Sequence, residues 1–243
     1  MQWVITNGFF QPSRLRFKNE VWRQVTAQVY PLQDFFMQRE ASLYLRGSAL
    51  EQEHPHPLAD IDFMLIAPQQ HWIDIQFHLR THTDFAHRPV DLVLLRPEGL
   101  ENNPVMRLLL HTRSELLVGV PRTFLPVPAN FDTAKAHWDI FQIKLLPNEI
   151  TTNRETNACM VKQLIRSIGP IELLKNQRFS RHLPTCVKWV ENVAPAQIIP
   201  CFQQAWYHIG AVQHPPVQIQ LARHWLLQEW KKMEKQHHVA NRL

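Results

Sequence analysis

Cysteine is scarce and scattered. The 243 residues hold three, Cys159, Cys186 and Cys201. They lie far apart and form no C-x-x-C, which excludes a disulfide framework and a zinc knuckle and leaves buried or idle thiols. Long apolar runs are missing too. No segment approaches the ~18 uninterrupted apolar residues of a membrane span, and the opening MQWVITNGFFQPSRLRF lacks a basic start followed by a continuous apolar stretch. The expectation is a cytoplasmic protein with no membrane partner. Internal repeats and low-complexity tracts are absent as well. Another absence is confined to one half of the chain: all eight aspartates precede Ile140.

Residues 1–150 carry 14 Lys and Arg against 16 Asp and Glu, a net of −2, whereas residues 151–243 carry 12 against 5, a net of +7. One half holds the carboxylates and the other the cations. That division suits a cleft where metal ions meet a polyanion, and it also describes a basic surface with no specific partner. The length accommodates one large or two medium domains, and a hydrophobic content of 45% is ample for a core.

Residues 17–40 read as a helix, with Val21, Val25, Val29 and then Phe35 and Phe36 near helical spacing. Three short apolar runs follow and read as strands: SLYLR (42–46), DIDFMLI (60–66) and VDLVLL (90–95). Between the last two, Pro68 opens PQQHWIDIQFHLRTH, a crossover helix with Trp72, Ile75 and Leu79 at helical spacing. NPVMRLLLHTR reads as another helix and SELLVGV as a short terminal strand or turn. Three prolines between 121 and 128 mark the domain boundary, so the expected plan is a domain over 1–120, a Pro-rich linker over 121–131 and a helical domain over 132–243. Helices are predicted there at 132–145, 149–167, 170–177, 181–193, 196–210 and 216–237.

The chemistry concentrates in LYLRGSALEQEHPHPLADIDFMLI. Residues i and i+2 of a strand project to one face, so Asp60 and Asp62 should stand side by side, about 6.5–7 Å apart at Cα. Adjacent carboxylates repel, and burial raises their pKa values unless a cation is present. Mg²⁺ resolves the conflict, because it takes one or two carboxylates plus substrate phosphates. Asp91, second in VDLVLL, could complete the three-carboxylate set of a two-metal phosphoryl transfer. Gly47 and Ser48 follow the first strand, where a glycine lets backbone approach a phosphate and a serine adds a hydroxyl donor. By chance alone a D-x-D occurs in roughly one such chain in four, and a Gly-Ser pair about a dozen residues upstream lowers this to the order of 1 in 1,000.

RGSALEQEHPHPLADIDFMLI followed by VDLVLL resembles the nucleotidyltransferase superfamily typified by DNA polymerase β. In that superfamily G-S, some ten residues, D-x-D and a later Asp mark the active site. LYLRGSA and ADIDFMLI look most like the small bacterial adenylyltransferases, including the aminoglycoside-modifying branch. The resemblance covers about residues 40–120. It implies an α+β fold, with a small mixed sheet flanked by helices and then an all-α C-terminal domain. It also implies a Mg²⁺-dependent transfer of a nucleoside monophosphate, AMP from ATP being favoured, to a hydroxyl acceptor with loss of pyrophosphate. Carried over by position, Gly47 and Ser48 hold the triphosphate, Asp60 and Asp62 the metals, and Asp91 the second metal or the incoming hydroxyl. The chain departs from the pattern in lacking a glycine shortly after the G-S and in placing Ala59 where a serine commonly precedes the first Asp; Pro55 and Pro57 would stiffen that loop instead.

In the second half, NRETNACMVKQLIRSIG places Arg154, Lys162 and Arg166 on one helix face. Facing a cleft, they could neutralise a triphosphate and its departing pyrophosphate; otherwise they form a solvated stripe. Lys162 is the first choice, and Arg178 and Arg181 are weaker candidates. Glu149, Glu155 and Glu172 are open as a base beside Asp91. His78 and His82 stand at i, i+4 but lack a third ligand at zinc spacing. Trp189, Trp206, Trp225 and Trp230 read as helical-domain core. Two alternatives stand beside the leading one: transfer to a protein or RNA acceptor, although no RNA-binding motif is present, and a catalytically silent module that senses nucleotide and works through a partner.

Overall fold

A computed structural model of the chain describes residues 3–12, 17–53, 60–85, 88–123, 125–143, 154–207 and 217–240. Contacts divide it into two compact units, Phe10–Val127 and Met1–Phe9 with Pro128–Leu243. The short strands β1 (Ile5–Thr6) and β2 (Phe9–Phe10) are turned at Asn7 and Gly8, both with positive φ, as a tight Asn-Gly hairpin requires.

The Phe10–Val127 unit starts with α1 (Glu20–Val29), which buries Val21, Val25 and Val29. Sequence periodicity predicts one helix over 17–40, but Pro31 interrupts it. Proline lacks an N–H for the bond one turn back, so although Tyr30 keeps helical angles, Tyr30–Leu32 tightens to a 3-10 turn before α2 (Gln33–Met37) resumes. Asn19 caps α1. Its Oδ1 accepts from Trp22 N at 2.8 Å, while Nδ2 donates to Ala49 O at 2.9 Å and Gln52 O at 2.8 Å. One side chain therefore starts α1 and holds the end of α3 (Ser48–Glu51), the single helical turn that follows Gly47. Asn19→Ala removes the cap and strips two carbonyls of their donor. We expect it to cost about 2–3 kcal/mol, read as a lower midpoint in urea with an unchanged slope.

Four strands form one sheet in the order β5-β4-β3-β6: β3 (Ser42–Arg46), β4 (Ile61–Ile66), β5 (Val90–Leu95) and β6 (Ser114–Gly119). β3 runs antiparallel to both β4 and β6, and β4 runs parallel to β5. The parallel pair is joined through a 3-10 turn and α4 (Trp72–His82), the crossover helix expected from sequence. After β5 come α5 (Pro97–Glu101), which the sequence reading did not include, and α6 (Pro104–Arg113), capped by Asn103. Leu43, Leu45, Phe63 and Leu65 share one face and pack with Val25, Val29, Phe36, Ile75 and Leu79. Fully burying each such side chain contributes about 1.5–3 kcal/mol, so the alternation in β3 and β4 is strongly specified. The opposite face is thereby assigned to Tyr44, Arg46, Asp62 and Met64.

The other unit is helical: α7 (Phe131–Ile143), α8 (Arg154–Arg166), α9 (Ile168–Asn176), α10 (Leu183–Val193), α11 (Ile199–Tyr207) and α12 (Val217–Ala240). Gly169-Pro170 does not delay α9 as expected. Pro170 sits in the first turn, where its missing N–H is not required, and the helix starts at Ile168. Trp138 and Trp230 stack at 4.5 Å, Trp189 and Trp225 are buried and Trp206 is half-buried. Trp3 joins this core, donating its N–H to Phe179 O at 2.8 Å. That link explains why the first residues group with the helices, which nothing local in the sequence indicates. Cys186 and Cys201 are buried, Cys159 is partly so, and all three are free thiols. No helix among the described residues is long and apolar enough to cross a membrane.

Candidate active site

The site follows from strand register. In the parallel pair Asp62 lies opposite Asp91, and in the antiparallel pair Asp62 lies opposite Arg46. Cross-strand partners project to the same face, so Arg46, Asp62 and Asp91 form a row across three adjacent strands. Arg46 Nη2 stands 3.1 Å from Asp62 Oδ1 and 3.1 Å from Asp91 Oδ2. Sequence reasoning missed this arginine. The signal was present in the demand of paired carboxylates for a counter-charge, but finding it required the β3–β4 register.

Asp62 and Arg46 are largely buried, with side chains 19% and 20% exposed, whereas Asp91 is 53% exposed at the sheet edge. Burial pushes the Asp62 carboxyl up to about 6. Arg46 pulls it down, the charges of Asp60 and Asp91 push it up, and a hydrogen bond with Asp91 favours its protonated form. Asp60 is exposed and immediately precedes β4 rather than lying in it; the strand begins at Ile61, whose N–H donates to Pro89 O at 2.8 Å.

Gly47 links β3 to α3 with φ +74, and a Cβ built on it would come within 2.0 Å of Asp62 Oδ2. Its bare Cα is what lets the Asp62 carboxylate lie against the turn. Ser48 opens α3. The loop containing Pro55, Pro57 and Ala59 lies outside the described residues.

Lys162 and Arg166 belong to α8, in the helical unit. Lys162 is exposed, and Arg166 is partly buried with Nε donating to Arg181 O at 3.3 Å. The side chains of Arg154 and Glu155 and the whole of Glu149 lie outside the described residues. Glu172 is fully buried inside the helical unit, where its Oε2 accepts from Arg178 Nη2 at 2.9 Å and Asn176 Nδ2 at 3.1 Å. That ion pair commits both Glu172 and Arg178 to structure. His78 and His82 stack on one another with centroids 3.9 Å apart, and His78 stacks on Phe35.

Among the described residues no three His, Cys, Asp or Glu side chains converge as a self-sufficient metal cage. Asp62 and Asp91 supply hard oxygen donors in adjacent register, with exposed Asp60 at the strand entrance. This donor set fits a Mg²⁺ ion that takes one or two carboxylates and completes its shell with water and phosphate oxygens.

No protein-family model matches the chain, and no curated protein matches it by sequence. Among solved structures, the chain is similar to spectinomycin adenyltransferase AAD(9) from Enterococcus faecialis, whose crystal structure contains ATP and spectinomycin. The TM-score is 0.55 and the identity 12%, over 84% of this chain and 98% of that one. The α+β architecture, a small mixed sheet with helices through the C-terminal region, is shared with that structure.

Proposed function

We propose that this chain, folded like an adenyltransferase, is a nucleotidyltransferase that moves a nucleoside monophosphate, AMP from ATP in the favoured case, to an acceptor hydroxyl. The observation that carries the reading is the row of Asp62 and Asp91 across β4 and β5, beside the Gly47-Ser48 turn. Asp60, Asp62 and Asp91 would hold Mg²⁺, which supplies Lewis-acid stabilisation of charge on the transferring phosphoryl group. Gly47 and Ser48 receive the triphosphate, and the spacing of cations in the sequence is what assigns Lys162 and Arg166 to the charge of the departing pyrophosphate. The acceptor oxygen forms a bond to the α-phosphorus while the bond from that phosphorus to the bridging oxygen of the β-phosphate breaks. The hydroxyl proton passes to a base, for which Asp91 is the exposed carboxylate in the row. A small molecule is the favoured acceptor class, with a protein side chain or RNA end as the alternative.

The pairing of Arg46 with both carboxylates favours one further reading, a silent module that senses nucleotide. Thermal melting with each of the four NTPs, with and without Mg²⁺, separates the two when combined with a pyrophosphate-release assay. At a hundredfold excess over Kd, linkage stabilises the protein by about 2.7 kcal/mol, or roughly 5–10 °C for a chain of this size. A Mg²⁺-dependent shift with one NTP, together with pyrophosphate release once an acceptor is supplied, is the expected result. Absence of a shift with every NTP overturns nucleotide binding by the free protein. Lys162→Ala is expected to weaken ATP binding about tenfold and leave metal affinity alone; unchanged ATP affinity would return Lys162 to a solvated helix face.

A further inference from the structure

Arg46 is the last residue of β3 and directly precedes Gly47-Ser48. Its position is set by register, opposite Asp62 on one side and Ser114 on the other. A single nitrogen, Nη2, serves both Asp62 and Asp91. The guanidinium does not grip either carboxylate with the two parallel N–H bonds of a fork. Its Nε is buried and has no hydrogen-bond partner among the described residues. The arrangement places one positive charge between two carboxylates while one N–H of the guanidinium goes unsatisfied among the described residues. A cation held by charge rather than by geometry is one that a stronger cation can displace.

We infer that Arg46 is a resident counter-ion of the carboxylate row, occupying the position a divalent metal would take and competing with it, so that metal entry requires the guanidinium to give up Asp62 and Asp91. The inference rests on the proposed metal-binding role of these carboxylates. It makes Arg46 a positioning residue that sets the metal affinity of the nucleotide-free protein. A guanidinium displaced from the row keeps its charge and gains free donors beside the Gly47-Ser48 turn, where an incoming phosphate is the anion of matching chemistry. Metal entering together with a nucleotide offers Arg46 a new partner, and metal entering alone does not. Free divalent ion should therefore bind weakly and metal–nucleotide well.

The test is a titration of the nucleotide-free protein with Mn²⁺, followed by electron paramagnetic resonance of the free ion, so that its readout is metal affinity and not activity. Arg46→Met removes the charge and keeps an unbranched stem. Arg46→Gln removes the charge and keeps an amide that can donate to a carboxylate, and it serves if the Met variant does not fold. Arg46→Lys retains the charge. A unit positive charge near 4 Å opposes a divalent ion strongly even at moderate dielectric, so the neutral variants should bind Mn²⁺ at least about tenfold more tightly than the parent. Arg46→Lys should stay within about threefold of the parent. Unchanged or weaker Mn²⁺ binding in the folded neutral variants overturns the inference and leaves Arg46 as a purely structural clamp.

The same series distinguishes this failure from failure of the proposed function. Mg²⁺-dependent stabilisation of the parent by an NTP, with Mn²⁺ affinity in the neutral variants equal to that of the parent, removes the role of Arg46 and keeps nucleotide binding. Tighter Mn²⁺ in the neutral variants, with no NTP effect on the parent, keeps the counter-ion and removes the nucleotidyltransferase reading.

Discussion

Asp62→Asn is expected to abolish nucleotidyl transfer while making the protein more stable at neutral pH. The loss follows from the donor set: an amide offers one weak oxygen where the site needs a charged one, and Asp62 is the middle member of the row, flanked by Arg46 and Asp91. Activity should fall by three orders of magnitude or more, as expected when a principal metal ligand of a phosphoryl-transfer site is removed. The gain follows from the Asp62 carboxyl, which burial holds at about 6, above its ordinary 3.8. A folded-state pKa raised above the unfolded value means that the native protein binds the proton more tightly. The corresponding stability is fully present below pH 3.8 and is lost as pH rises through about 6. The difference amounts to about 3 kcal/mol at pH 7 as an upper figure. An uncharged isostere escapes that loss. Urea unfolding of parent and variant should therefore differ by about 1–3 kcal/mol in favour of Asp62→Asn at pH 7.5, and the difference should vanish near pH 4. Full transfer activity in the purified variant would end the proposed mechanism, whereas a stability difference independent of pH would show that Asp62 is not the strained carboxylate.

Gly47→Ala carries the second large effect, and it acts through the same carboxylate. The backbone at Gly47 has φ +74, a region that costs an L-residue about 1–2 kcal/mol. Its Cβ would also stand 2.0 Å from Asp62 Oδ2 and 2.9 Å from Asp62 Cγ, so the carboxylate must rotate away from the turn. Rotation would break the 3.1 Å contact with Arg46 and move an oxygen of the proposed metal seat out of the row. We expect a loss of about 2–4 kcal/mol of stability and at least a hundredfold in activity. A double-mutant cycle tests the cause. In an Asp62→Ala background the obstructing oxygen is gone, so Gly47→Ala should cost only its backbone share, leaving a coupling of about 1–2 kcal/mol. Strict additivity would mean that the glycine serves the turn alone and not the placement of Asp62.

Strand periodicity put SLYLR and VDLVLL at β3 and β5 with their observed bounds, and placed DIDFMLI within one residue of β4. The crossover between β4 and β5 was legible from Pro68 and the spacing of Trp72, Ile75 and Leu79, because helix period and proline placement are local properties. The single helix expected over 17–40 broke at Pro31, and the apolar period alone could not show that break. The helical character of residues beyond 131 was legible in the same way, although the start of α9 was not, since a first-turn proline and a helix-ending proline look alike without backbone angles.

The sequence by itself determined where the residues of the proposed site lie: three aspartates and a Gly-Ser pair in one half, with the excess of cations in the other. Their spacing also determined the parity of each strand, because side chains alternate whatever the partner strand. Only the tertiary structure decided that Asp62 faces Asp91, that Arg46 stands between them, that Gly47 makes room for the Asp62 carboxylate, and that Trp3 packs with helices more than a hundred residues away in sequence. Those decisions are registers and close approaches between segments distant in sequence. They are set by burial summed over whole faces of the sheet and by loop closure, which no local stretch of residues encodes.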